Sequence, residues 1–137
     1  MTPMTTAAVG RHSELLAITA LLANGYTVLE PAVPEPFDLA ITKRGESKIV
    51  RIQVKTALFR EKDGIEYYVV KGKKNSGVIY GKDDCDVFIG VIDNHVYMFD
   101  NTEITEYWVR ADAIEGKWTR LTTRLEYAQS KTESEAV

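Results

Sequence analysis

Cysteine is almost absent from this chain: Cys85 is the only one. It has no partner for an internal disulfide and no companions for a cysteine metal site, so a buried or incidental thiol is expected. Histidine is equally scarce, with His12 and His95 the whole supply. With no Gly-x-Ser-x-Gly elbow either, serine and cysteine hydrolase chemistry and a histidine zinc site are disfavoured. No apolar run approaches the roughly 20 residues of a membrane span. The apolar stretch at residues 15–23 is too short and follows a helix start rather than a basic leader, so cytoplasmic residence is the expectation. No internal repeat is found.

The chain also lacks an overall positive charge, its formal balance being −3. Taken alone, that argues against a nucleic-acid partner. The distribution argues for one. Residues 43–82 hold eleven Lys/Arg against four Asp/Glu, whereas the rest of the chain holds six against sixteen. A basic middle between acidic ends is a local footprint for a polyanion, although a charge run is more commonly a solvated surface.

What is present suits one globular domain. The 137 residues are 45% hydrophobic and 27% charged. A single domain over residues 1–129 is expected, followed by a disordered tail at 130–137, which carries no core-forming residue except its last. A helix is predicted from residue 6 or 7 to 24, closed by Gly25. Leu15, Ile18, Leu21 and Leu22 form its apolar stripe, with Glu14 on the border. A short strand at 26–30 leads into Pro31, Pro34 and Pro36, which forbid regular pairing and make an extended connection.

Beyond residue 56 a polar, basic connection to Gly64 is expected, then a strand at 66–70. Residues 71–77, KGKKNSG, read as a mobile loop able to grip phosphate. It is not a P-loop, because the Gly-Lys-Ser/Thr order is absent. Half-buried sheet packing is the commoner fate of Tyr67, Tyr68 and Tyr80; Tyr80, beside the loop, is also a candidate contact. DVFIGVI at 86–92 is a buried strand that turns at Asp93-Asn94 and returns over 95–99. Asp83, Asp84 and Asp86 lack the calcium-loop pattern, and Asp86 is expected to neutralise basic neighbours. Residues 102–113 read as a helical turn around Ile104, Tyr107 and Trp108. Residues 118–127 suit a late strand, with a terminal helix as competitor.

The organising stretch is FDLAITKRGESKIVRIQVKT, residues 37–56. Short β-branched runs flank a turn at residues 43–47, the pattern of a hairpin. Alternation puts Gln53 and Lys55 on one face and Ile52 and Val54 on the other. The hairpin returns Asp38 to the side of Gln53 and Lys55. A carboxylate, an amide oxygen and an ammonium then share one strand end, a cradle for a hard metal ion and an attacking water.

Phe37-Asp38 followed by Gln53-Val54-Lys55 resembles the D…(D/E)xK signature of the PD-(D/E)xK nuclease superfamily. Residues 11–16, RHSELL, resemble the acidic-residue-bearing first helix of that fold. IQVKTA is similar to a subgroup of group I intron homing endonucleases and junction-resolvase-like enzymes in which glutamine occupies an acidic position. Pro36-Phe37-Asp38 stands where the family has Pro-Asp. The resemblance implies an α/β restriction-endonuclease-like core, a mixed central sheet flanked by helices. It implies a magnesium-dependent DNA endonuclease, with manganese as substitute. Glu14, Asp38, Gln53 and Lys55 are then the catalytic set. Glu14, Asp38, Gln53 and the Val54 carbonyl would hold the metal, while Lys55 positions the water or stabilises developing charge. Arg11, Ser13, Lys71, Lys73, Lys74 and Tyr80 are the expected nucleic-acid contacts. A chain this small has little room for a separate DNA-reading domain, so a homodimer or homotetramer is expected. Two other readings compete: a non-catalytic nucleic-acid-binding module on the same fold, and a partner-binding α/β domain in which the motif is chance.

Overall fold

The computed structural model describes residues 3–126. Its one α-helix among them, α1 (Thr6–Ala23), begins where the Thr5 hydroxyl accepts a hydrogen bond from the Ala8 amide at 3.1 Å. The helix ends at Asn24, ahead of Gly25, as its sequence predicts. The buried face differs from the predicted one. Ser13, Ala17, Ala20 and Leu21 pack inward, while Leu15 and Leu22 remain 48% and 54% exposed. Small side chains occupy the line of closest approach, where alanine lets the helix lie flat on a sheet; the bulky leucines fall to the side.

Among the described residues nine strands follow: β1 (Tyr26–Leu29), β2 (Leu39–Lys43), β3 (Val50–Thr56), β4 (Leu58–Lys62), β5 (Ile65–Lys71), β6 (Val87–Ile92), β7 (His95–Asp100), β8 (Glu106–Arg110) and β9 (Thr119–Leu121). Six form a mixed sheet in the order β1-β2-β3-β6-β7-β9, in which only β3 and β6 run parallel. The expected hairpin of β2 and β3 is present, with Leu39 opposite Ile52 and Ile41 opposite Val50.

The mixed sheet carries α1 on one face. On the other lies an antiparallel three-stranded sheet, β4-β5-β8, so among the described residues α1 is the one α-helix flanking the mixed sheet. Two cores result. Ala17, Leu21, Ile52, Val54 and Ile89 fill the space under α1. Val70, Tyr107 and Val109 of the second sheet meet Phe88, Tyr97 and Trp118 in the other. Gly90 marks a close approach of the sheets, since a Cβ there would lie 2.9 Å from Val70 Cγ2.

The second sheet corrects two expectations. The supposed connection at 56–64 contains β4, joined to β5 by an Asp63-Gly64 turn with φ of 54° and 78°. Left-handed backbone at both central positions is the type I′ hairpin that Asp-Gly favours. The supposed helical turn at 102–113 contains β8, with Trp108 opposite Val69. Parallel strands need a crossover, usually a helix; here β4, β5 and the following loop make it. At the C-terminal end β9 stops at Leu121. Tyr127 and the tail expected at 130–137 lie outside the described residues.

Candidate active site

β3 carries the centre of the site. Ile52 and Val54 are buried beneath α1, so alternation turns Gln53 and Lys55 to the opposite face, where Gln53 lies across from Phe88 of β6. Asp38, immediately before β2, grips β3 on both sides of Gln53. Its amide donates to the Ile52 carbonyl at 2.9 Å, and its Oδ2 accepts from the Val54 amide at 2.9 Å. Gln53 Nε2 donates to the Val54 carbonyl at 3.4 Å. The Asp38 and Gln53 side chains therefore converge on one residue's main chain, that of Val54.

Burial pushes the Asp38 carboxyl above the usual carboxylate range and the charge of Glu14 adds to this, while the Val54 N–H and the Lys55 ammonium pull it down. Burial lowers the Lys55 ammonium, and the charge of Asp38 opposes that shift. Asp38 thus interacts electrostatically with both Glu14 and Lys55. Glu14 and Asp38 also line one open cavity of about 410 Å³, whose wall is the proline-rich segment with Glu30, Glu35 and Phe37. Glu30 and Glu35 were missed by sequence reasoning; acids flanking prolines that lead into Asp38 were the available signal.

Among the described residues no three His, Cys, Asp or Glu side chains come together as a metal cluster. With an amide at position 53, the site has two carboxylates, Asp38 and Glu14. Its remaining candidate donors are the Gln53 amide oxygen and the Val54 carbonyl. An all-oxygen set fits a hard divalent cation and not zinc.

The expected nucleic-acid contacts divide. Arg11 is exposed and bridges Glu14 at 3.0 Å and Glu30 at 3.4 Å. Lys71 and Lys73 are exposed. Lys74 is tied to Asp84 at 3.0 Å. Two assignments need correction. Ser13 is 3% exposed and its hydroxyl is 2.7 Å from that of Thr56, so it fastens helix to sheet. Tyr80 is 7% exposed and the Lys55 ammonium stands over its ring, so the ring is not open to stack on a base. The loop at 71–77 is also held: Lys73 bridges to Ile79, and the Tyr80 amide donates to the Gly72 carbonyl at 3.0 Å.

Asn101 was likewise invisible in the sequence. It is fully buried, and its Nδ2 donates to the carbonyls of Tyr80, Gly81 and Cys85 at 3.0–3.1 Å. Its Oδ1 accepts from the Glu103 amide and the Tyr107 hydroxyl. Arg51 fastens the same turn from β3, through the Asp86 carboxylate and the Lys82 and Asp83 carbonyls. Cys85 is buried, as expected, and burial pushes its thiol up to about 11.

The frame is a helix-backed mixed sheet with Asp38 just ahead of one strand and Lys55 two residues past Gln53 on the next, an arrangement that suits a nuclease. Residues 4–134 match the family model for PD-(D/E)XK endonucleases, and the chain belongs to that family. Endonuclease activity follows from membership, and members generally use divalent metal ions. Among solved structures the fold is similar to that of the bacterial homing endonuclease I-Ssp6803I. That match has a TM-score of 0.61 and 24% identity, over 78% of this chain and 76% of the other. No curated protein matches.

Proposed function

We propose that the chain is a magnesium-dependent endodeoxyribonuclease, with manganese able to substitute, that hydrolyses phosphodiester bonds of DNA. The observation that carries this reading is the convergence of Asp38 and Gln53 on Val54, with the Lys55 charge close enough to bias Asp38. Asp38, Gln53, the Val54 carbonyl and Glu14 would hold the ion. When bound, the ion would lower the pKa of a water and neutralise a phosphate oxygen. Asp38 supplies the anionic anchor, pre-aimed by the Val54 N–H. Lys55 positions the attacking water or stabilises charge developing on the phosphate. Glu14 exchanges its bridge to Arg11 for a role at the centre. Lys71 and Lys73, both exposed, hold the phosphate backbone; the Lys73 carbonyl lies 3.4 Å from the Lys55 ammonium.

Homing is the role suggested by the neighbour's name; restriction-like and junction-resolving roles use the same chemistry. Cutting two strands calls for two copies of the site, hence a homodimer or homotetramer. The exposed leucines at 15 and 22, two turns apart on α1, are apolar surface that such an assembly would bury.

The decisive assay measures cleavage of plasmid, linear duplex and four-way-junction DNA across a magnesium titration. Wild type is expected to cut at least one form. Lys55→Ala, Asp38→Asn and Gln53→Ala should each lose at least about a hundredfold in rate. Gln53→Glu should bind metal more tightly and keep cutting. The absence of a third acid favours one rival, a binding module that has lost catalysis. A wild type silent on every DNA form, with cleavage appearing in Gln53→Glu, would establish that rival.

A further inference from the structure

Tyr80 is a tyrosine that the proposed chemistry leaves unused, yet it lies against the group that chemistry needs most. The Lys55 ammonium stands over the Tyr80 ring, 5.0 Å from its centre, and donates to the Lys73 carbonyl at 3.4 Å. Lys74 approaches the same ring at 5.9 Å and is anchored by Asp84. The ring is fixed from behind by Phe88, while the Tyr80 carbonyl is held by Asn101. A lysine on a flexible four-carbon stem would otherwise sample many rotamers.

We propose that Tyr80 is a positioning residue for Lys55: its ring face and the Lys73 carbonyl form a cradle that fixes where the ammonium stands. The catalytic consequence rests on the reading of Lys55 given above; the cradle itself rests on geometry. An aromatic face attracts a cation through its quadrupole, more strongly when water is partly excluded. The hydroxyl is not required, so Phe should serve as well as Tyr and an aliphatic side chain should not. The neighbouring charges that bear on Lys55 are Asp38 and, through the shared ring, Lys74 and Asp84.

The test uses the full chain and two readouts. In the first, without metal, NMR measures the ε-methylene protons of Lys55, assigned by their loss in Lys55→Arg. They are expected upfield of the other lysines, to stay there in Tyr80→Phe and to return to the ordinary position in Tyr80→Leu. In the second, DNA cleavage with magnesium is expected to keep its wild-type kcat in Tyr80→Phe. In Tyr80→Leu kcat should fall about ten- to a hundredfold with KM little changed. Should Tyr80→Leu fail to fold, the Phe variant alone decides: retention of both shift and kcat supports the cradle, and loss of either overturns it. An unshifted Lys55 in wild type, or full kcat in a folded Tyr80→Leu, also overturns it. If no protein cleaves but the NMR pattern holds, the cradle stands and the nuclease reading falls.

Discussion

At Asp38, burial and hydrogen bonding pull in opposite directions, and burial prevails. With its folded pKa above the unfolded value, the carboxyl contributes stability only while protonated. That contribution is complete below the ordinary value of about 3.9 and is lost as pH rises through the raised one. At neutral pH the ionised side chain therefore weakens the fold. Metal-free Asp38→Asn is expected to melt above wild type at pH 7, the advantage vanishing in acid; melting curves across pH check this, and a variant that melts lower at pH 7 would contradict it. The same substitution should abolish cleavage, a trade of stability for function. Asn101 is the opposite case. Asn101→Ala would strip the Tyr80, Gly81 and Cys85 carbonyls of their shared donor, in a setting buried at Tyr80 and Cys85. A loss of about 3 kcal/mol or more is expected in urea unfolding.

The individual elements differ in how openly the sequence announced them. The β2–β3 hairpin was legible because short β-branched runs flank a turn at residues 43–47, even though Leu39, Ala40 and Ile41, like Ile52, Gln53 and Val54, are buried in succession. Strand β4 was not: Leu58, Phe59, Glu61 and Lys62 are all exposed, so nothing in LFREK records a core side. Strand β8 was misread because Tyr107 and Val109 alternate over too few residues to separate a strand from a turn of helix. The α1 stripe failed for a different reason, since alanine carries little hydrophobic signal although close packing requires it. The proximity of Asp38, Gln53 and Lys55 was legible because one hairpin joins them. The placement of Tyr80 and Asn101 was not, because it depends on a distant loop. That loop also changes the expectation for DNA binding. Lys71 and Lys73 are exposed, whereas Lys74 is tied to Asp84. Replacing Lys71 or Lys73 by Ala should reduce the slope of log affinity against log salt by roughly 1 each. Lys74→Ala should reduce it less, as fluorescence anisotropy across a salt series can determine.

Across the whole molecule, the route of the chain matters as much as its contacts. If two copies act together through α1, Leu15→Lys combined with Leu22→Lys should leave a folded monomer by sedimentation. That monomer should nick plasmid rather than linearise it; an unchanged assembly would place the contact elsewhere. The crossover from β3 to β6 has a further effect. Lys55 leaves β3 before the second sheet is built, and the Lys73 carbonyl that receives it arrives 18 positions later. That carbonyl is set by the second sheet, whose β5–β8 pairing spans far more of the chain than the first hairpin and carries the larger loop-closure cost. A chain emerging from the ribosome, or one partly refolded, can thus hold its helix and first hairpin while Lys55 still swings free. Cleavage should return after helical circular dichroism in a refolding time course. If Lys55 acts as proposed, competence to cut comes only with the finished molecule.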